Sequence, residues 1–312
     1  MTTDTMRAWQ IHDFGDAGMM KLETVPVPTP REGELLVRID ATSINPVDYK
    51  TREGEFPPVD SSDLPAILGR DVAGTVIAGG DAFAAGDRVY GMPAFGRGSY
   101  AEQVMMKPAE LARIADRVDM TTAGSLPLAA LTAWQGLFDQ GALQAGERVL
   151  ILGAPGGVGH LAVQFAVARG ASVIATGRQQ DVDFLKELGA DQVIDTDSAD
   201  LSEIEGEVDL VYSLLHGEPQ AAAWAVVKSD GRFISTLEEP ESNGKKPGVR
   251  TARYMAAPNG DQLAEIMDLV ESGKVSVKLQ QRFAFEDIPA AQDALENDHT
   301  QGKIAVLLHA DA

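Results

Sequence analysis

Arg148-Val149-Leu150-Ile151-Leu152-Gly153-Ala154-Pro155-Gly156-Gly157-Val158-Gly159 is the stretch whose reading decides the fold. Its first five residues form an apolar run suited to a buried strand, and the glycines that follow suit a tight turn. From His160 to Arg169 the pattern becomes helical, and Gly170 closes the helix. Strand, glycine turn and helix in this order make the dinucleotide-binding form of G-x-G-x-x-G, with Ala154 in place of the first glycine. Unsatisfied amides at the helix start, together with the helix dipole, then face a pyrophosphate. Ala154, Pro155, Gly156, Gly157, Val158 and Gly159 are the candidate phosphate contacts. A triphosphate loop would need Gly-Lys-Ser/Thr, whereas this turn runs into Gly159-His160-Leu161. The competing reading is a tight turn without a ligand.

Working outward, strands and helices alternate. Ser172 to Ala175 reads as a strand and Val182 to Leu188 as a helix closed by Gly189. Val193-Ile194, Val208 to Tyr212 and Arg232 to Ser235 supply further strands. Pro219 to Lys228 reads as an intervening helix, with Gly231 at the turn back into the sheet. This order predicts an α/β fold with a doubly wound parallel sheet of the Rossmann type. Upstream, Leu35 to Ile39, Gly74 to Ile77 and Arg88 to Tyr90 are short β-rich runs between Gly, Pro and Asp turns, and Leu126 to Leu137 turns helical. Downstream come a helix over Asp261 to Ser272, a strand-like Val277 to Phe285, a helix over Pro289 to Glu296 and a strand over Lys303 to Leu308. Leu237 to Arg250, polar and Pro/Gly-containing, reads as the one long loop. The expected organisation is a β-rich module over 1–122, a dinucleotide domain over 123–258, and a return to the first module over 259–312.

The cofactor is chosen about 20 residues beyond the turn, where an acid would hold the adenosine ribose of NADH. The second strand ends instead in Ala175-Thr176-Gly177-Arg178. An acid there would repel a 2'-phosphate by about 4 kcal/mol per charge pair at ~4 Å and an effective dielectric near 20, whereas Arg178 would attract it. Thr176, Gly177 and Arg178 are therefore the expected 2'-phosphate site and NADPH the expected cofactor. The alternative is that Arg178 is a solvated loop arginine.

Composition sets limits on everything else. With no cysteine among 312 residues, disulfides, thiolate zinc sites, iron-sulfur clusters and a cysteine nucleophile are excluded. A formal charge of -21 repels nucleic acid and anionic lipid, so neither is an expected partner. The acidity fits life at high salt or a plain solubility device. No apolar stretch approaches the roughly 20 residues that span a bilayer, and no secretory pattern opens the chain, so the expected compartment is the cytoplasm.

Further motifs agree in order along nearly the whole chain: Asn45-Pro46-Val47-Asp48-Tyr49-Lys50, Gly69-Arg70-Asp71-Val72-Ala73-Gly74, Gly86-Asp87-Arg88-Val89-Tyr90-Gly91 and Leu126-Pro127-Leu128-Ala129-Ala130-Leu131-Thr132-Ala133. With the glycine turn they resemble the medium-chain dehydrogenase/reductase family. Where its zinc alcohol dehydrogenases carry a cysteine and a Gly-His-Glu, this chain has Asn45 and Arg70, so the resemblance is to the zinc-independent quinone oxidoreductase group, zeta-crystallin-like, and no metal is expected. The resemblance implies a chaperonin-10 (GroES)-like β-barrel catalytic domain, an inserted Rossmann domain, a cleft where nicotinamide meets substrate, and a homodimer formed through the Rossmann sheets.

It also implies site residues. Asn45 is the candidate polar contact to substrate or ribose, and Tyr49 the candidate donor to a substrate oxygen. Some relatives place their tyrosine one position later, which leaves open that Lys50 faces the site and Tyr49 packs on the barrel. Thr132 resembles a cofactor-neighbouring threonine; a hydroxyl bonding back within its helix is the alternative. Arg70 and Asp71 read as a structural pair. His216, after the Val208 to Tyr212 strand, is a lesser candidate beside the reading of an ordinary loop histidine, and His160 lies on the helix after the turn.

Without a metal to polarise a carbonyl, the acceptor must take hydride readily once oriented. The expected reaction is NADPH-dependent reduction of a quinone or related conjugated carbonyl compound. One alternative is an enoyl or 2-alkenal reductase acting on an α,β-unsaturated C=C bond. The other is a non-catalytic NADPH-binding sensor on the same fold.

Overall fold

A computed structural model describes residues 4–56, 59–240 and 246–309. The chain divides into two compact units: Met1–Leu128, Ala257–Ser272 and Leu279–Ala312 form one, and Ala129–Ala256 with Gly273–Lys278 form the other.

The second unit is built on Arg148–Leu152, whose Val149, Leu150 and Ile151 are fully buried, as a central parallel strand with both faces covered requires. Six parallel strands run in the order Gln192–Asp195, Ser172–Gly177, Arg148–Leu152, Val208–Ser213, Val227–Ser235, Arg250–Arg253. Numbered along this unit, that order is 3-2-1-4-5-6, the doubly wound dinucleotide topology. The expected helix over Pro219 to Lys228 is shorter: Glu218–Ala222 and a 3-10 turn at Ala223–Ala225 end before a strand that already begins at Val227. Gly231 lies inside that strand, where the register with Val208–Ser213 slips, and not at a turn before it. Burial drives the change, since Trp224 packs on Phe233 with ring centroids 4.8 Å apart and anchors the segment to the sheet. Arg250–Arg253 adds an edge strand at the end of the expected loop; residues 241–245 of that loop lie outside the described residues.

In the first unit, Leu35–Ile44 is the axis of a seven-stranded sheet. It pairs antiparallel with Lys303–Leu307, Val72–Ala78 and Gln103–Met106. Arg88–Gly91 and Leu111–Arg113 extend one side, and Leu279–Ala284 the other. A smaller sheet joins Met20–Pro26, Thr5–Ile11 and Ala66–Ile67. Ile39, Val72, Val89, Phe285, Ile288 and Val306 are among the buried residues that form this unit's core. The last part of the chain thus supplies the strand that neighbours the residues just before Asn45. Among the described residues, no helix is long and apolar enough to cross a membrane.

Candidate active site

At the dinucleotide turn, Gly153 takes φ +80, a conformation open to glycine, and Gly159 opens the helix Gly159–Ala168. A Cβ at Gly159 would stand 2.4 Å from the Gly153 carbonyl oxygen and 2.6 Å from Ala154 Cα, so the turn closes only on glycine. At Gly156 a Cβ would meet only the Gly153 oxygen, at 3.7 Å, so this residue faces open space. The backbone therefore fits the diphosphate of a dinucleotide: a closed turn beneath, an open glycine above and a helix start behind. His160 is fully buried beneath it, with Nδ1 3.0 Å from the Gly156 carbonyl oxygen and Nε2 accepting from Lys278 N–H at 3.4 Å, which makes it a brace of the turn.

The three residues assigned to a 2'-phosphate divide. Thr176 is buried, and its hydroxyl accepts from Gly153 N–H at 3.2 Å and sits 3.4 Å from the Ile151 carbonyl oxygen, so it ties the turn to the sheet. Gly177 is held against Leu185, Asp181 and Pro155. Arg178 is exposed at the strand end, with its backbone N–H fixed by Asp181 at 2.9 Å and its side chain directed by no ion pair among the described residues. Thr132 lies where the helix Pro127–Trp134 passes into the π-turn Gln135–Gln140, and its carbonyl accepts from the hydroxyls of both Tyr212 and Tyr254. Gly136 is required there, because a Cβ would stand 2.4 Å from Tyr212 Cε2 and from Tyr254 Oη. His216 is exposed.

In the first unit, Asn45 precedes the short helix Pro46–Arg52. Its backbone N–H donates to Asp48 Oδ2 at 2.8 Å, but its side chain leaves the helix. Nδ2 donates to Asp71 Oδ2 at 2.7 Å, and Oδ1 accepts from Lys303 Nζ at 2.5 Å. The Lys303 ammonium also donates to the Ile44 carbonyl at 3.0 Å and lies 3.7 Å from Asp71 Oδ2. Asp71 further accepts from the Ser43 hydroxyl and, at 2.6 Å, from Leu128 N–H. Asp48 accepts from the Tyr100 hydroxyl at 2.8 Å. Asn45, Asp71, Lys303, Ser43 and Tyr100 are all nearly or wholly buried. Burial pushes Asp48 up to about 6, against the lowering effect of the Tyr100 and Asn45 bonds, and burial also lowers Lys303, opposed by Asp71 and Asp48.

This cluster contains Asn45 but not Tyr49. Tyr49 is half-buried, and its titration is raised by burial and by Glu296, Glu53 and Glu55, so it remains a neutral hydroxyl at physiological pH. Arg70 and Asp71, expected as a pair, diverge: Asp71 turns to Ser43 and Asn45, while Arg70 lies over the Phe95 ring at 3.9 Å. The reading of the residues missed Lys303, Ser43 and Tyr100. A lysine opening the apolar run Lys303-Ile304-Ala305-Val306-Leu307 was the available signal, because a buried strand rarely begins on an unpaired cation.

A metal ion does not fit these residues. Asn45 offers one amide oxygen already held by Lys303 Nζ, and Arg70 has no lone pair to give. Among the described residues, no group of three or more His, Asp or Glu side chains is placed to hold one.

A doubly wound sheet with an open glycine turn, joined in one chain to a β module carrying a buried Asn-Asp-Lys cluster, defines an oxidoreductase of the dinucleotide-binding α/β class. Residues 31–116 match the family model described as alcohol dehydrogenase GroES-like domain, and residues 188–306 the one described as zinc-binding dehydrogenase. The chain is 32% identical over 318 residues to the NADPH-dependent alkenal/one oxidoreductase, chloroplastic, of Arabidopsis thaliana, covering 96% of this chain and 79% of that one. It is 33% identical, with the same coverage, to the 2-methylene-furan-3-one reductase of Solanum lycopersicum. The solved quinone oxidoreductase of Coxiella burnetii superimposes with a TM-score of 0.92 at 32% identity, over 98% of this chain and 100% of that one. The chain belongs to the medium-chain dehydrogenase/reductase family, alongside its quinone and alkenal oxidoreductases, and its first unit is the GroES-like module.

Proposed function

We propose that the chain reduces a quinone or a related conjugated carbonyl compound with NADPH and without a metal. The observation that carries this reading is the dinucleotide turn, open at Gly156 and closed at Gly159, beside a strand that ends in an exposed arginine where an NADH enzyme keeps an acid. The acceptor class draws on relatives named for alkenals, alkenones and quinones. When bound, NADPH supplies a hydride.

The chain's own residues then orient and polarise. The turn offers the amides of Gly157, Val158 and Gly159 to the diphosphate, since Pro155 has no N–H and those of Ala154 and Gly156 donate to the Thr176 and Gly153 carbonyls, and Arg178 offers a planar cation to the 2'-phosphate. Asn45, locked by Lys303 and Asp71, presents a fixed amide to substrate or ribose. Tyr49, kept protonated, is a donor to a carbonyl oxygen. On an enone, the new C–H bond forms at the β-carbon, the C=C pair shifts to the bond between the α-carbon and the carbonyl carbon while the C=O pair moves to oxygen, and the resulting enolate takes its proton from water or from a hydroxyl restored by water.

Initial rates of NADPH oxidation with a quinone panel beside an enone and enoyl-thioester panel test this directly. Turnover of quinones is expected; inactivity on quinones with turnover of enones would move the assignment to alkenal reduction. Tight NADPH binding with no oxidation on either panel would leave a sensor. The cofactor arm is separate: Arg178→Ala should weaken NADPH by about 2 kcal/mol, roughly thirtyfold, and leave NADH unchanged. Equal affinities for the two dinucleotides, unaltered by the substitution, would overturn the 2'-phosphate site.

A further inference from the structure

A cavity of about 670 Å³ lies wholly within the first unit and is lined between Met6 and Met105. Arg70 is in its wall, only 7% exposed, and its Nη1 is buried with no hydrogen-bond partner. No ion pair to the Arg70 guanidinium occurs among the described residues. One face of the guanidinium is covered by Phe95, whose ring centroid is 3.9 Å away, so its N–H edge remains for a ligand. Burying a guanidinium without an anion costs several kcal/mol, so such a group is retained where something supplies the missing charge.

The protein's own acids do not supply it. Asp48, Asp71 and Glu110 act on Arg70 through space, but Asp48 is taken up by Asn45 N–H and Tyr100, Asp71 by Ser43, Asn45 and Leu128, and Glu110 by Arg97 and Lys107 N–H. The other arginine in the wall, Arg97, is already committed to Glu110 at 2.5 Å and the Met105 carbonyl at 3.0 Å. Asp63, the remaining acid in the wall, accepts from Asp60 N–H at 2.9 Å. One uncommitted positive charge among walls that also carry carboxylates matches a monoanion; a phosphate dianion would bring excess negative charge against Asp48 and Asp63. Two parallel N–H donors fit a carboxylate edge-on, and Ile67, Leu68 and Val104 offer apolar surface to the rest of the ligand.

We propose that this cavity binds a small, flat organic monocarboxylate, with the carboxylate on Arg70 beside Phe95 and the apolar body on the Ile67–Val104 side. The site goes beyond the redox reading and stands without it. It also gives the cluster at Asn45 a neighbour, because Asp48 belongs to both.

Calorimetric titration of the full chain with cinnamate and with cinnamamide, its neutral counterpart, tests the site at neutral pH. Cinnamate is expected to bind, and cinnamamide to bind at least about tenfold more weakly. Arg70→Gln should bring cinnamate down to the cinnamamide level while NADPH affinity stays at the parent value, which also reports that the variant is folded. Absence of cinnamate binding, equal binding of the two ligands, or unchanged binding in a folded Arg70→Gln protein would each overturn the proposal. Should Arg70→Gln not fold, Arg70→Lys takes its place: a point charge without the planar fork should lose most of the preference, and full retention of it would count against the site. The cinnamate and cinnamamide titrations contain no NADPH, so nothing is reduced in them and their outcome is independent of whether the chain reduces quinones.

Discussion

An asparagine at the start of a helix normally turns its side-chain oxygen onto the first-turn amides, an arrangement worth about 1 kcal/mol. Asn45 forgoes it and spends both ends of its amide on Asp71 and Lys303. Removing Lys303 would leave Asp71, Asn45 Oδ1 and the Ile44 carbonyl short of a buried donor, so Lys303→Met should destabilise by about 3 kcal/mol in urea unfolding, with a smaller loss in the double variant Lys303→Met, Asp71→Asn. Asp48 adds a pH dependence. Its folded-state titration at about 6 lies above its ordinary 3.8, so the fold favours the protonated acid: the contribution is complete below 3.8 and is lost as pH rises through about 6. The parent should therefore lose roughly 3 kcal/mol relative to Asp48→Asn between those limits, at 1.36 kcal/mol per unit. A stability difference between the two proteins that does not change over this window would show that Asp48 is not held protonated by burial.

At the scale of elements, the glycine turn separates binding from folding. Gly156→Leu places a side chain in open space, so it should leave the melting temperature within a few degrees of the parent and abolish NADPH binding. Gly159→Ala drives a methyl into the Gly153 carbonyl and should lower the melting temperature as well as binding. Thermal melts with and without NADPH check both, and a Gly156→Leu protein that still binds NADPH would remove the diphosphate from this turn. This element was readable in the sequence because the contacts that demand its glycines lie within a few residues, while the distant braces from Thr176 and Lys278 only hold it in place. The Asn45 cluster was only half readable: Asn45 and Lys303 are 258 positions apart, and nothing local marks their meeting. Arg250–Arg253 escaped for a different reason. An edge strand buries little, so its Arg-Thr-Ala-Arg carries no apolar alternation, and its hydrogen bonds to Val227–Ser235 come from the neighbour and not from its own side chains. Val227 to Gly231 was misread as helix and turn because the bulged register hides the period-two pattern.

For the molecule as a whole, the same edge strand and the net charge pull in opposite directions. Arg250–Arg253 ends the six-stranded sheet with one side unpaired among the described residues, and its arginines are folded back onto their own unit, Arg250 to the Gln140 carbonyl at 2.6 Å and Arg253 to the Leu237 carbonyl at 3.0 Å. Their charges are therefore tethered and do not fan across the edge, so the backbone is free to pair with a second copy of itself. The homodimer expected from the family resemblance would form two-fold through this strand, each copy completing the other's sheet. Each copy brings a formal charge of -21, so association at low salt works against a long-range repulsion that a Debye length near 10 Å at 0.1 M screens. Dimerisation should accordingly strengthen as salt is raised, the reverse of an interface held by ion pairs between copies. Light scattering across protein concentration at 0.02 M and 0.5 M salt should show the dimer fraction rising with salt, and Thr251→Pro, which removes an edge amide, should shift it toward monomer. A dimer weakened by salt, or indifferent to Thr251→Pro, would place the interface on another surface.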